Sequence, residues 1–161
     1  MALDEALAEG AFAGWDLAGV GTVDGGERLD LPRSGRSLRL LARTSQAAYA
    51  ELLRSADVGL ALMYTPHPSL VPIEMAAAGM PTVTSTFENK DAAALARISA
   101  NLIASEPSVE GVAAGLARAE AQAGRLGERA AGSVVNWPSD WDQALGEEVL
   151  GAVERLLARE E

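Results

Sequence analysis

The sequence lacks cysteine altogether and contains a single histidine and a single lysine. The absence of cysteine excludes disulfide bonds and thiolate metal sites, and it is typical of a reducing cytoplasm. A lone histidine without a tight carboxylate cluster also argues against a metal site. No apolar run approaches the roughly 20 residues that span a bilayer, and the acidic N-terminus lacks the basic segment of a signal peptide. We therefore expect a cytoplasmic protein with no integral membrane segment.

Positive charge is also scarce. Lysine and arginine number 13 against 23 aspartates and glutamates, which gives a net charge of -10. A general binder of nucleic acid gains its affinity by neutralising phosphates with basic side chains, so we expect no nucleic-acid partner. One anionic small molecule is still compatible with this charge, because a local pocket can be electropositive on an acidic protein.

Strand-like and helix-like segments alternate along the 161 residues, of which 48% are hydrophobic. The pattern predicts strands over 17–23, 38–41, 58–64, 82–86 and 102–104, separated by a loop over 24–37 and by helices over 2–14, 45–56, 70–78, 91–99 and from Pro107. A last helix is predicted over about 139–159, with Trp137 and Trp141 as packing anchors beside it. The run 58–64 is continuously apolar, as in a central parallel strand covered on both faces. We expect one α/β domain over 1–161, a Rossmann-like three-layer αβα fold with a parallel sheet.

Ligands of open parallel sheets bind beyond the carboxyl ends of the strands. The segment 65–72 lies at such an end, and its three prolines stiffen it. Its backbone N–H groups and the following helix N-terminus suit a diphosphate. Glu74, predicted in the first helical turn, could accept hydrogen bonds from ribose hydroxyls. An acidic residue there also stabilises a helix without any ligand.

Other polar residues follow strand ends, and each has two interpretations. His67 is a phosphate or sugar contact, or a locally hydrogen-bonded loop residue. Lys90, beside Asn89, neutralises a phosphate as a point charge or is a solvated lysine. Arg43 also follows a strand, and it either faces the ligand-binding edge of the sheet or forms a surface ion pair. Thr44 contacts a base or caps the next helix, and capping is the preferred interpretation.

The stretch SADVGLALMYTPHPSLVPIEMAAAGMPTVTSTFENKD resembles the C-terminal, donor-nucleotide-binding domain of retaining GT-B glycosyltransferases. The resemblance covers about 15–118 and is closest to bacterial rhamnosyltransferase-like enzymes of surface-polysaccharide synthesis. It implies a nucleotide-diphospho-sugar donor, such as a dTDP-rhamnose-like molecule, and no further cofactor. The catalytic residues stay unassigned.

Matched to this family, Glu74 corresponds to the second glutamate of a paired motif, which usually holds the ribose. Ser69 and Leu70 correspond to the segment whose amides face the diphosphate. The first glutamate of the pair falls on Pro66, and the common Gly-Phe-Gly falls on His67, Pro68 and Ser69. The resemblance therefore leaves open how the sugar is held, and His67 is a candidate substitute.

The same comparison places residue 1 inside the first helix of the family's domain. The central strand that usually precedes this helix, and the N-terminal acceptor domain, then have no counterpart in the sequence, so the GT-B domain is incomplete. We expect the resulting gap to be closed by direct pairing of the flanking strands, by the N-terminal residues forming a strand, or by a partner chain. A homodimer or another association that covers the edges is the expected outcome.

Two functions follow from the sequence. In the first, the chain is the donor-binding part of a glycosyltransferase and is inactive without its acceptor domain. In the second, it is a non-catalytic Rossmann-like module that binds a nucleotide or a protein partner.

Overall fold

A computed structural model describes residues 1–20 and 28–158 of the chain. Eight helices lie in these ranges. They are α1 (Ala2–Ala8), α2 (Gln46–Ser55), α3 (Leu70–Ala77), α4 (Ala92–Ile98), α5 (Val109–Ala123), α6 (Leu126–Gly132), α7 (Trp141–Ala144) and α8 (Glu147–Leu157). Four of them begin at a residue whose side chain accepts a hydrogen bond from the first turn, as N-caps do. These caps are Ser45, Asp91, Ser108 and Asp140.

Six strands in the described ranges form two three-stranded sheets. The strands are β1 (Ala18–Val20), β2 (Arg28–Leu31), β3 (Arg36–Leu41), β4 (Gly59–Leu60), β5 (Thr82–Ser85) and β6 (Leu102–Ser105). The first sheet has the order β1-β3-β2, with β1 parallel and β2 antiparallel to β3. The second sheet has the order β4-β5-β6 and is parallel throughout.

Helices cover both faces of the parallel sheet, so the expected Rossmann-like αβα layering is confirmed. On one face Val83 and Ile103 pack against Leu116 of α5, in a cluster that also holds Leu7 of α1. On the other face Leu102 packs with residues of α3 and α4. Neighbouring residues of β6 thus point to opposite layers, as the period of a strand requires.

The loop predicted over 24–37 is wrong where the structure describes it. Residues 28–31 form β2, which pairs with β3 and buries Leu31. Gly35, with a φ of 68°, lies in the turn between the two strands, where a left-handed residue is needed. The proline, the glycine and the charged residues in the described part of this segment therefore belong to a hairpin turn and to the strands on either side of it. Residues 24–27, and 21–23 of the predicted first strand, lie outside the described residues.

The run 58–64 is not a central strand. Only Gly59–Leu60 forms a strand, at the edge of the second sheet, and the Ala61 amide adds one bond to Val83. Leu62, Met63 and Tyr64 are exposed. In the described ranges β1 and β4 do not pair with each other, and residues 2–8 form a helix rather than a strand. Two of the three expected ways of closing the gap are therefore not what the structure shows.

The C-terminal part differs from expectation in two respects. The single last helix is two helices, because the chain turns at Leu145 and Gly146 between α7 and α8. Trp141 is 78% exposed, so its prediction as a packing anchor is wrong.

Candidate functional site

The candidate residues follow the carboxyl ends of three strands. Arg43 and Thr44 come directly after β3, the 65–70 loop follows β4, and the 87–90 turn follows β5. Beyond strand ends of this kind, α/β sheets bind their ligands. The structure therefore keeps the predicted residues after the carboxyl ends of strands, although it divides them among three local environments.

The 65–70 loop uses some of its own hydrogen-bonding capacity. The Ser69 amide donates to Nδ1 of His67 at 2.9 Å, and the Thr65 hydroxyl donates to the His67 carbonyl at 3.1 Å. The imidazole is exposed and also meets Trp137 edge-on, with ring centroids 5.8 Å apart. The local hydrogen-bonding interpretation of His67 is thus what the structure shows.

This contact changes which amides of α3 face an incoming anion. The first N–H groups of a helix have no partner within the helix. At α3 the Ser69 amide is engaged by His67, and Pro72 has no N–H. The donors that remain at this end are the amides of Leu70 and Val71.

Ser69 has an unusual backbone conformation. Its φ of 69° and ψ of 152° lie in a region that is almost restricted to glycine. Such a conformation costs a non-glycine residue about 1–3 kcal/mol and is concentrated at functional sites. Its hydroxyl forms no capping bond to α3, so it remains available to a ligand at the helix N-terminus.

Glu74 lies in the second turn of α3 rather than in the first, because the helix begins at Leu70. Its side chain is exposed, and none of the ion pairs among the described residues involves it. Burial, and then the negative charge of Glu74, raise the pKa of the Tyr49 hydroxyl. The charge of the α3 carboxylate thus acts on the phenol of α2. Tyr49 was not among the site residues predicted from the sequence.

Lys90 lies inside the protein rather than on the rim. Only 2% of the residue is exposed, and its ammonium donates to the Met63 carbonyl at 2.5 Å. Burial lowers the pKa of this ammonium. The Ser85 hydroxyl donates to the same carbonyl, and Tyr64 packs edge-on against Phe87. Lys90 thus holds the segment that follows β4 in place. The location of Lys90 after a strand end did not indicate that its side chain points inward.

A cavity of about 920 Å³ opens between the two sheets. Arg43, Thr44 and Tyr49 are among its lining residues, and most of the wall is apolar. The other candidates, from His67 to Leu70, Glu74 and Lys90, do not line it. Ser45 rather than Thr44 caps α2, and Arg43 belongs to none of the ion pairs in the described ranges.

Comparison with known proteins adds the family. The family model described as "WsaF, C-terminal domain" matches residues 1–117. The chain belongs to the WsaF C-terminal domain family. Every candidate residue lies within the matched range, and α6, α7 and α8 lie beyond it.

A relative of this WsaF-like domain is a curated protein of Myxococcus xanthus named "O-antigen biosynthesis protein RfbC". It is 36% identical over 99 residues, which cover 58% of this chain and 8% of the relative. The matched part is thus a small fraction of a much longer polypeptide. Within the described residues no helix is long and apolar enough to cross a membrane, and no group of three or more histidines or carboxylates could hold a metal ion.

Proposed function

We propose that this domain binds a nucleotide-diphospho-sugar as the donor-binding part of a glycosyltransferase of polysaccharide biosynthesis. The name of the Myxococcus relative and the GT-B-like stretch 55–91 support the process and the type of reaction. The observation that carries the proposal is the pair formed by the N-terminus of α3 and the exposed Glu74 carboxylate one turn later. Both lie at the carboxyl edge of a parallel sheet.

In this proposal the amides of Leu70 and Val71, with the Ser69 hydroxyl, receive the diphosphate. Arg43, which has no ion-pair partner among the described residues, supplies the positive charge that Lys90 cannot supply from its buried position. Glu74 accepts hydrogen bonds from the ribose hydroxyls. The contribution to catalysis is orientation of the donor and stabilisation of the leaving nucleoside diphosphate. Contacts to the acceptor come from a further domain.

Titration calorimetry with UDP, GDP and dTDP tests the donor site. We expect binding to at least one of them, weakened about tenfold or more by Glu74→Ala, because charged hydrogen bonds contribute about 1.5–3 kcal/mol. The matched control is Glu110→Ala, which removes an exposed acidic residue from the first turn of α5. This control should leave the affinity unchanged.

The second candidate is a non-catalytic interaction module. It is favoured by one observation, the engagement of the Ser69 amide by His67, which leaves two backbone donors for an anion. If none of the three nucleoside diphosphates binds at millimolar concentration, the donor-site proposal is wrong and this module is the better description. Equal loss of affinity in both glutamate variants would also refute the assigned role of Glu74.

A further inference from the structure

The segment 62–69, between β4 and α3, is tied to the rest of the domain at few points. The last bond between β4 and β5 along the chain is donated by the Ala61 amide to the Val83 carbonyl, at 3.0 Å. Beyond it, the Met63 carbonyl is the one backbone group of this segment that bonds to another segment within the described residues. The path of the chain towards α3 therefore depends on how this carbonyl is held.

Two side chains from the end of β5 and the turn after it hold the Met63 carbonyl. The Lys90 ammonium donates to it at 2.5 Å, and the Ser85 hydroxyl donates to it at 3.0 Å. The turn 87–90 is itself closed by two backbone bonds. The Lys90 amide donates to the Phe87 carbonyl at 2.8 Å, and the Phe87 amide donates to the Lys90 carbonyl at 3.1 Å. Lys90 thus approaches Met63 from a fixed turn.

The Lys90 ammonium is a buried charge with a neutral partner. The residue is 2% exposed, and it belongs to none of the ion pairs among the described residues. An ammonium has three N–H donors, and within the described ranges the Met63 carbonyl is the acceptor of one of them. Burial of a charge without a counter-ion is costly, whereas an apolar side chain of the same length avoids this cost. Folding stability alone therefore does not account for a lysine at this position.

The contact to Met63 fixes the direction of one peptide unit. The C=O and N–H groups of a trans peptide point to opposite sides, and no peptide bond in the described residues is cis. With the Met63 carbonyl turned to Lys90, the Tyr64 amide points away from the ammonium. Loss of the ammonium would leave this peptide unit free to rotate, and the 65–70 loop that follows it would lose its fixed starting direction.

We propose that Lys90 is a positioning residue of the donor site. By holding the Met63 carbonyl it sets the path of the 65–70 loop, and with it the placement of the amides of Leu70 and Val71 that receive the diphosphate. The inference rests on the proposed function. It assigns Lys90 no contact with the donor, so the lysine acts on binding through the loop alone.

Lys90→Met tests the role of the charge, because it keeps an unbranched side chain and removes the ammonium. The Ser85 hydroxyl still donates to the Met63 carbonyl. We expect the Tm to be unchanged or higher, because a buried charge without a counter-ion is removed. Titration calorimetry well below the Tm should show the affinity for UDP, GDP or dTDP weakened about tenfold or more, because misaligned hydrogen bonds to a charged group are weak.

The matched control is Arg97→Met, which removes an exposed positive charge from the last turn of α4. It should leave the affinity unchanged. A lysine with a structural role only would give the opposite pattern in Lys90→Met, with a lower Tm and an unchanged affinity of the folded chain.

Chemical restoration of the charge provides a second test. The sequence has no cysteine, so Lys90→Cys introduces a single thiol that can be alkylated in the unfolded chain before refolding. Alkylation with 2-bromoethylamine gives a side chain of the length of lysine that ends in an ammonium, and 1-bromopropane gives a neutral one of the same length. We expect the first product to bind nucleoside diphosphate with an affinity close to that of the unchanged chain, and the second to bind about tenfold more weakly or worse.

If neither neutral form folds, Ser85→Ala still decides the inference, because it removes the other donor to the same carbonyl and should also weaken binding. Unchanged affinity in Lys90→Met, or equal affinity of the two alkylated products, would overturn the inference and leave the donor site in place. Equal losses in Lys90→Met and Arg97→Met would indicate an effect of net charge and would overturn it as well. If the unchanged chain binds none of the three nucleoside diphosphates, the proposed function is wrong and this inference with it.

Discussion

Relief of the backbone conformation at Ser69 is the most direct test of the loop that precedes α3. With φ at 69° and ψ at 152°, this residue occupies a region in which glycine is nearly alone. Replacing Ser69 by glycine removes the Cβ that makes this conformation unfavourable. The His67 contact to the Ser69 amide involves only the backbone of this residue, so the substitution preserves it.

The size of the effect follows from three contributions. The strain at such a position is about 1–3 kcal/mol. Against it, glycine lowers the free energy of unfolding by about 0.5–1 kcal/mol, because it gives the unfolded chain more conformational freedom. The Ser69 hydroxyl makes no capping bond to α3, so no hydrogen bond is lost with it. We expect Ser69→Gly to raise the free energy of unfolding by about 1 kcal/mol, which corresponds to about 2–4 °C in Tm for a domain of this size.

Thermal unfolding followed by circular dichroism measures this shift. Ser69→Ala is the control, because it deletes the hydroxyl and keeps the Cβ, and it should be no more stable than the unchanged chain. If Ser69→Gly unfolded at the same temperature as Ser69→Ala or below it, the backbone at Ser69 would not be strained. The proposal that Ser69 is held in a strained conformation for ligand binding would then be wrong.

Two further substitutions probe how the layers are joined. Burial alone would raise the pKa of Asp4, but hydrogen bonds from Ser34 and two backbone amides outweigh it and lower that pKa. The resulting stability is present above about pH 4 and lost in more acidic solution, so the Tm advantage of the unchanged chain over Asp4→Asn should shrink from pH 6 to pH 3. A constant difference would contradict this. Gly132→Ala would place a Cβ in steric conflict with Oδ1 of Asn101, whose side-chain amide donates to two carbonyls. We expect a loss of about 1–3 kcal/mol in denaturant unfolding, whereas Gly127→Ala in the same helix meets nothing within 4 Å and should not destabilise; similar losses in both would implicate helix α6 as a whole.

Much of the fold was predictable where the local signal and the tertiary structure agree. Helix α2 falls within the predicted range 45–56, and α3 ends before Gly79, whose φ of 87° suits a helix C-terminus. Short parallel strands between amphipathic helices then indicate the αβα layers. These features depend on nearby residues, which a sequence displays directly.

The errors fall where distant residues decide. Continuous apolarity over 58–64 is typical of a central strand, yet here residues 58–61 line a cavity and residues 62–64 are exposed. At the candidate site the sequence indicated the strand ends but not the direction of each side chain. Lys90 turns inward to a carbonyl 27 positions earlier in the chain. Such a contact depends on how β4 and β5 are aligned, and spacing along the chain does not encode it.

The burial of Lys90 has a practical consequence for chemical labelling. It is the one lysine among the 161 residues, and its ammonium is enclosed and hydrogen-bonded to the Met63 carbonyl. Amine-directed reagents should therefore modify this side chain slowly while the domain is folded and quickly once it unfolds. The rate of modification at this one position then reports unfolding without an introduced cysteine or fluorophore.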